Sequence, residues 1–317
     1  MAIESFRLGI SFLLRPVSLG QNKPTPQRPS PPSKDQIFHI SQVPEWMQWD
    51  PYIVHGYRPQ LGSFEDCFWS LFYLHNEFIN TWSHLLPGLY FMALLVMAEY
   101  WISYVPLDVA FSDILAIQMY MAGSAGCLIF SAAFHATNAR SQQVAAAFLK
   151  LDYLGIIITI STTCMSVTYF GLYHSAFLQA AYISLTAFCA AIVFWVILDP
   201  RMDGVHSGHL RATVFTLLAT SGVAPILHVA AFEGAYGLKR FPLESLSVTL
   251  TSYAVGTAVY VSRFPEKFWS HRFDLLGASH QIFHVLIVFG HIVHLYGLRG
   301  VLVQCSLDTV PQINAAP

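Results

Sequence analysis

The chain has 317 residues, of which 55% are hydrophobic and only 11% charged, with a net charge of −2 at pH 7. Soluble domains carry about 25% charged residues. With a mean hydropathy of +0.50, that deficit excludes a disordered chain, a coiled coil and a basic nucleic-acid binder, and it points to an integral membrane protein. Cys67, Cys127, Cys164, Cys189 and Cys305 form no CxxC pair and no disulfide framework.

Residues 1–62 read as a cytosolic, largely disordered region. The apolar stretch at 6–14 is too short to span a bilayer, is interrupted by charge and lacks a cleavage site. A short amphipathic membrane contact is expected there rather than a signal peptide. The Pro/Ser-rich segment KPTPQRPSPPSK at 23–34 is expected to be a solvated, extended linker. Residues 63–76 read as an interfacial helix: Phe64, Phe68, Trp69 and Phe72 supply an aromatic face. Ser63 is its expected N-cap, and Glu65 and Asp66 suit its positive end.

From there the charges act as a ruler, because the hydrocarbon core requires about 20 residues nearly free of charge. Uncharged windows of 21 residues (78–98) and 26 residues (114–139) come first. A 46-residue window (153–198) is long enough for two spans, divided near Gly171 to Ser175. Windows of 21 (212–232), 18 (245–262) and 24 residues (275–298) complete the set. The expectation is an all-α, seven-transmembrane helix bundle over 77–298, followed by a short non-cytosolic tail at 299–317. Thirteen of the 16 lysines and arginines fall on the side of the N-terminus, and only Lys239, Arg240 and Arg299 on the other. The positive-inside rule then places the N-terminus in the cytosol and the C-terminus outside, which disfavours a rhodopsin-like receptor.

Histidine is over-supplied, with 14 copies in a chain short of other ionisable groups. His280 and His284, one turn apart, read either as a metal-ligand pair or as packing or pore-lining residues. His135 closes the second span and Asp152 opens the third, at the same inner depth in the inferred topology. Ionisable groups there need a partner, a ligand or a water-filled cavity. Three imidazoles with a nearby carboxylate suit a tetrahedral Zn2+ with one position left for water, whose pKa the metal would bring towards about 7. Asp152 would orient that water or accept its proton, and Ser131, one turn before His135, would act as a supporting donor. Glu77, Asn80 and His84 share a helix face and read as a polar clasp for the helix ends. His291 reads as a satisfied interior histidine, His294 as paired with a neighbouring helix and His228 as a cavity residue. His39, His55, His206, His209 and His271 read as solvated.

The strings HNEFINTWSHLLPG (75–88), FSAAFHAT (130–137), LDYLG (151–155), SHQIFHV (279–285) and HLYG (294–297) resemble the progestin and adipoQ receptor family. That family is also described as hemolysin-III-related and is grouped with alkaline ceramidases in a wider set of membrane hydrolases. The resemblance covers residues 63–298 and is strongest to the adiponectin-receptor-like branch, including its fungal members. It implies an N-in, C-out seven-helix bundle. It also implies that His135, His280 and His284 are zinc ligands, that Asp152 meets the zinc through water and that Ser131 is the serine of an SxxxH motif.

The function expected is that of a zinc-containing, receptor-like membrane protein with ceramidase-type hydrolase activity. Its roles would lie in lipid signalling or metabolism and in metal homeostasis. Asp152 and Ser131 are the catalytic candidates, and His135, His280 and His284 the metal ligands. The implied partners are membrane lipids, ceramide or another sphingolipid, and an extracellular protein or steroid ligand, with no nucleic acid. The location is a multi-pass position in the plasma membrane or an internal membrane. The alternative is a signalling receptor whose zinc is purely structural. A transporter has weaker support, lacking an inverted repeat, and a bis-histidine haem protein would leave Asp152 unexplained.

Overall fold

A computed structural model describes residues 37–98, 109–202 and 207–309. The segments at 6–14 and 23–34, His206 and the last eight residues of the expected tail lie outside the described residues. Among those described the fold is all-helical, the one strand-like feature being an isolated bridge between Phe38 and Tyr57. The helices are α1 (Phe64–Ser70), α2 (Phe78–Val96), α3 (Phe111–Thr137), α4 (Gln142–Gly171) and α5 (Ala176–Ile197). They continue as α6 (Gly208–Thr220), α7 (Val223–Phe232), α8 (Gly234–Leu238), α9 (Leu243–Ser262) and α10 (Ser279–Thr309).

Among the described residues, six helical stretches are long and apolar enough to cross a membrane: α2, α3, α4, α5, α6 with α7 taken together, and Ser279–Gln304 of α10. They leave large apolar side chains such as Leu86, Phe188, Trp195 and Leu217 exposed, as lipid-facing helices do. The window at 212–232 is broken at Ser221 and Gly222, where a Cβ on Gly222 would lie 2.8 Å from Cys164 Sγ. Helix α9 covers the window at 245–262 but is not among the six stretches. Its hydroxyls explain why: Ser252 Oγ donates to the Leu286 carbonyl (2.8 Å) and Thr249 Oγ1 to that of Gly290 (3.2 Å). Those two hydroxyls are answered by α10, whereas Ser247 and Thr251 stay exposed, Ser247 Oγ donating to the Leu243 carbonyl of its own helix (2.7 Å). α10 in turn packs on α2, α3, α4 and α9.

Three boundaries differ from the sequence expectation. Residues 37–62, assigned to a largely disordered region, are folded: Val43, Met47, Ile53, Tyr57 and Leu61 form a core with Cys67, Ala139 and Ala278. Their partners are remote in sequence, as when Leu61 N donates to the Ala139 carbonyl (2.9 Å), so no local periodicity announces them. Asp274 ties this cap to the α9–α10 connection by accepting from the backbone N–H groups of Val54 (3.1 Å) and His55 (3.0 Å). The tail expected from residue 299 is instead helical as far as Thr309, because Leu302 is a fully buried member of the bundle core. α1 begins at its expected cap, with Asp66 N donating to Ser63 Oγ (3.0 Å), but ends at Ser70, short of the expected 76; Phe64, Phe68 and Trp69 on it and Phe72 just beyond it are exposed.

Candidate metal centre

Residues Cys127, Ser131 and His135 recur every four positions on α3 and so form one stripe. The facing stripe of the antiparallel α4 is Asp152, Gly155 and Thr159. The two backbones nearly touch at Gly155, where a Cβ would lie only 2.8 Å from Cys127 Cα. That contact sets the register one turn further on, and the Ser131 hydroxyl hydrogen-bonds the Asp152 carboxylate.

His280 and His284 occupy the first turns of α10. Glu266 fixes where that helix starts: its carboxylate accepts from Ser279 N (2.7 Å) and from the Ser279 hydroxyl. An anionic acceptor at a helix N-terminus satisfies otherwise orphaned N–H groups and complements the helix dipole. The nitrogens of His135, His280 and His284 then lie within 4.8 Å of one another. His135 Nε2 and His280 Nε2 are 3.2 Å apart. Tetrahedral ligands with bonds of about 2.0–2.1 Å have corners about 3.3 Å apart, a spacing the His135–His280 pair matches, so the three donors could hold a metal ion.

Behind the triad lies a polar network. His135 Nδ1 is 2.7 Å from Glu77 Oε2, and Glu77 also accepts from Asn80 Nδ2 (2.7 Å) and Asn138 Nδ2 (3.1 Å). Arg58, 1% exposed, donates to the carbonyls of His135 (2.7 Å) and Ala136 (2.9 Å), to Asn138 Oδ1 (2.7 Å) and to Ser70 Oγ (2.8 Å). Burial lowers the pKa of Arg58, and the nearby Glu77 opposes that shift. Its donors occupy carbonyls that the C-terminus of α3 would otherwise leave unpaired.

The triad and Asp152 line a cavity of about 840 Å3 between α3, α4, α6, α9 and α10, walled otherwise mainly by apolar residues such as Ile156, Ile160, Leu217 and Leu250. This size is typical of pockets for lipid-sized or drug-sized molecules. Arg211, itself 9% exposed, lines the same wall and donates to Tyr260 Oη (3.0 Å) while its guanidinium lies near the Tyr153 ring.

A family model described as haemolysin-III related matches residues 72–295. The chain belongs to the haemolysin-III-related family. It is 33% identical to the ADIPOR-like receptor IZH2 of Saccharomyces cerevisiae, over 83% of each chain. It is 32% identical to the adiponectin receptor protein of Drosophila melanogaster over 87% of this chain, but spans only 62% of that relative's length. Heptahelical transmembrane protein 3 of Arabidopsis thaliana is 26% identical over 82% of this chain. Six apolar helices and these relatives make the chain a multi-pass integral membrane protein.

Within this haemolysin-III-related chain the structure brings together all five of Ser131, His135, Asp152, His280 and His284. His291 is satisfied, pairing with Thr159 Oγ1 (2.9 Å) and Tyr253 Oη (3.1 Å). His228 is not on the cavity wall as expected; it pairs with Tyr182 Oη (3.0 Å) between α7 and α5. His294 meets the neighbouring helix α3, as expected, by packing edge-on against the Tyr120 ring, and its nitrogens make no hydrogen bond. His84 departs from the expected clasp by stacking on the His284 ring, with centroids 3.6 Å apart. His55 and His271 are exposed, as expected, and His39 is half-buried; the three rings form a chain of contacts. Sequence reasoning passed over Arg58, Asn138, Arg211 and Glu266. A buried arginine has no local signature, although Glu266, thirteen residues before Ser279, sits where a capping acid is useful.

Proposed function

We propose that the chain is a seven-span membrane hydrolase with a cytosolic N-terminus, in which His135, His280 and His284 hold Zn2+ and a lipid amide of ceramide type is the substrate. The observation that carries this reading is the convergence of three imidazoles and Asp152 at the wall of a largely apolar cavity. The Thr249 and Ser252 hydroxyls of α9, satisfied by carbonyls of α10, are compatible with that helix lying in lipid as the seventh span. The basic excess beside the His135 end supports the orientation.

When bound, zinc would supply Lewis acidity towards an amide carbonyl and acidify a water. Asp152, held by Ser131, takes the proton from the attacking water and passes it to the departing amine. Water is thereby added across the C–N bond, giving a fatty acid and an amine. Arg211 and Tyr260 present a cation and a hydroxyl on the same wall, where they favour negative charge developing on the carbonyl oxygen. The apolar wall holds the acyl chain.

A second reading, a ligand-responsive receptor with structural zinc, draws on the fly and yeast relatives, both named as receptors. It also draws on the triad's position, joining α3 to α10. Metal analysis of purified protein, paired with ceramide hydrolysis, separates the two. The expected result is one zinc per chain in the wild type, none in His280→Ala, and no turnover in His280→Ala or Asp152→Asn. Stoichiometric zinc without turnover favours the receptor reading. Absence of zinc from the wild type overturns both.

A further inference from the structure

Helix α2 supplies no member of the triad, yet its first two turns face it. Glu77, Asn80 and His84 recur at i, i+3 and i+7, so they form one stripe with Ser83 beside it. Glu77 Oε2 lies 2.7 Å from His135 Nδ1, and a carboxylate only accepts, so that nitrogen carries the proton. The main-chain carbonyl of Asn80 lies 3.1 Å from His284 Nδ1, and a carbonyl likewise only accepts. Ser83 Oγ is 3.2 Å from the same nitrogen, and the His84 ring lies flat on that of His284, tilted by 10°. A neutral imidazole has one N–H and one lone pair. In both rings the lone pair is therefore left on Nε2.

We infer that α2 selects the nitrogen that His135 and His284 offer to the metal, and that Glu77 is the dominant positioning residue of the centre. The inference rests on the metal reading proposed above and assigns a role to a helix outside the ligand set. The two contacts differ in strength. Glu77 is an anion held at low exposure by Asn80 and Asn138, and a charge-assisted bond to an imidazole raises its basicity as a ligand. The Asn80 carbonyl is neutral and orients His284 with less electronic effect. His280 is set differently, its ring packing between Tyr260 and Phe283.

The test uses full-length protein purified in detergent, with the zinc dissociation constant measured by chelator competition and the absorption spectrum of the cobalt(II)-substituted protein as an independent readout. Glu77→Gln keeps the side-chain size and an accepting oxygen but removes the charge. It is expected to weaken zinc binding about 10–100-fold and to shift the cobalt band. Glu77→Asp keeps the charge and is expected to bind more tightly than Glu77→Gln. Leu298→Ala opens the apolar core without touching Glu77 or its partners; it is expected to lower the melting temperature while zinc affinity stays within about threefold of wild type. The inference is overturned if Glu77→Gln binds zinc like the wild type, or if Leu298→Ala loses as much affinity as Glu77→Gln. A wild-type chain without stoichiometric zinc overturns the metal reading itself and is thereby a separate outcome.

Discussion

At one end of α2, α3 and α10, the residues Phe91, Ile117, Met121, Leu295 and Leu298 pack into a core with almost no exposure. At the other end, the same three helices present Glu77, His135 and His284 to one another and to an open cavity. The apolar end is held by shape and close contact, which many neighbours share. Tyr169 and Tyr173 donate to Asp113 there, while His294 rests on the Tyr120 ring without a hydrogen bond. The site end is held by directional bonds between single atoms, each with one or two partners. A substitution at the first end should therefore register as stability, and one at the second as chemistry or metal affinity.

Four substitutions press on that division. Asp152→Asn should have the largest effect, reducing amide hydrolysis by about 10²–10⁴-fold with an unchanged melting temperature; a parallel loss of stability would make Asp152 an architectural residue. Leu298→Ala, at the apolar end, should cost about 2–5 kcal/mol of stability, read as earlier thermal unfolding, while zinc content stays stoichiometric. Gly155→Ala sits where the two ends are coupled, because its Cβ would press on Cys127 Cα. It should lower both stability, by about 1–3 kcal/mol, and turnover. Activity retained alongside lost stability there would show that the α3–α4 register is looser than the contact implies. Ser131→Ala should be mildest: about tenfold slower hydrolysis from removal of one hydrogen bond to a charged group, with little change in melting.

The triad and Asp152 were legible because ionisable residues inside long uncharged windows have few innocent explanations. The i, i+4 spacing of His280 and His284 is also a local fact that any helix enforces. Glu77 illustrates the opposite case. Its pairing with His135 bridges 58 positions and depends on how α2 crosses α3, which composition and periodicity do not encode. Arg58 is harder still, since an arginine in a polar N-terminal region reads as solvated until the cap at 37–62 is seen to bury it. The ring of His84 had the right neighbours in sequence and the wrong role, because stacking on His284 depends on the separation of two helices. Helix α9 was found by its lack of charge, but the partners of its Thr249 and Ser252 hydroxyls emerge only from its contacts with α10.

Helix α10 is 31 residues long, which at 1.5 Å per residue makes a rod of about 46 Å. The hydrocarbon core is about 30 Å thick, so the rod must either lean steeply or project beyond the lipid. His280 sits at its first turn, and the opposite end stands more than one bilayer thickness away. The chain thus carries a single stiff strut from its polar site to the opposite surface of the membrane, and a change in the strut's inclination about its middle would displace His280 and the far terminus in opposite directions.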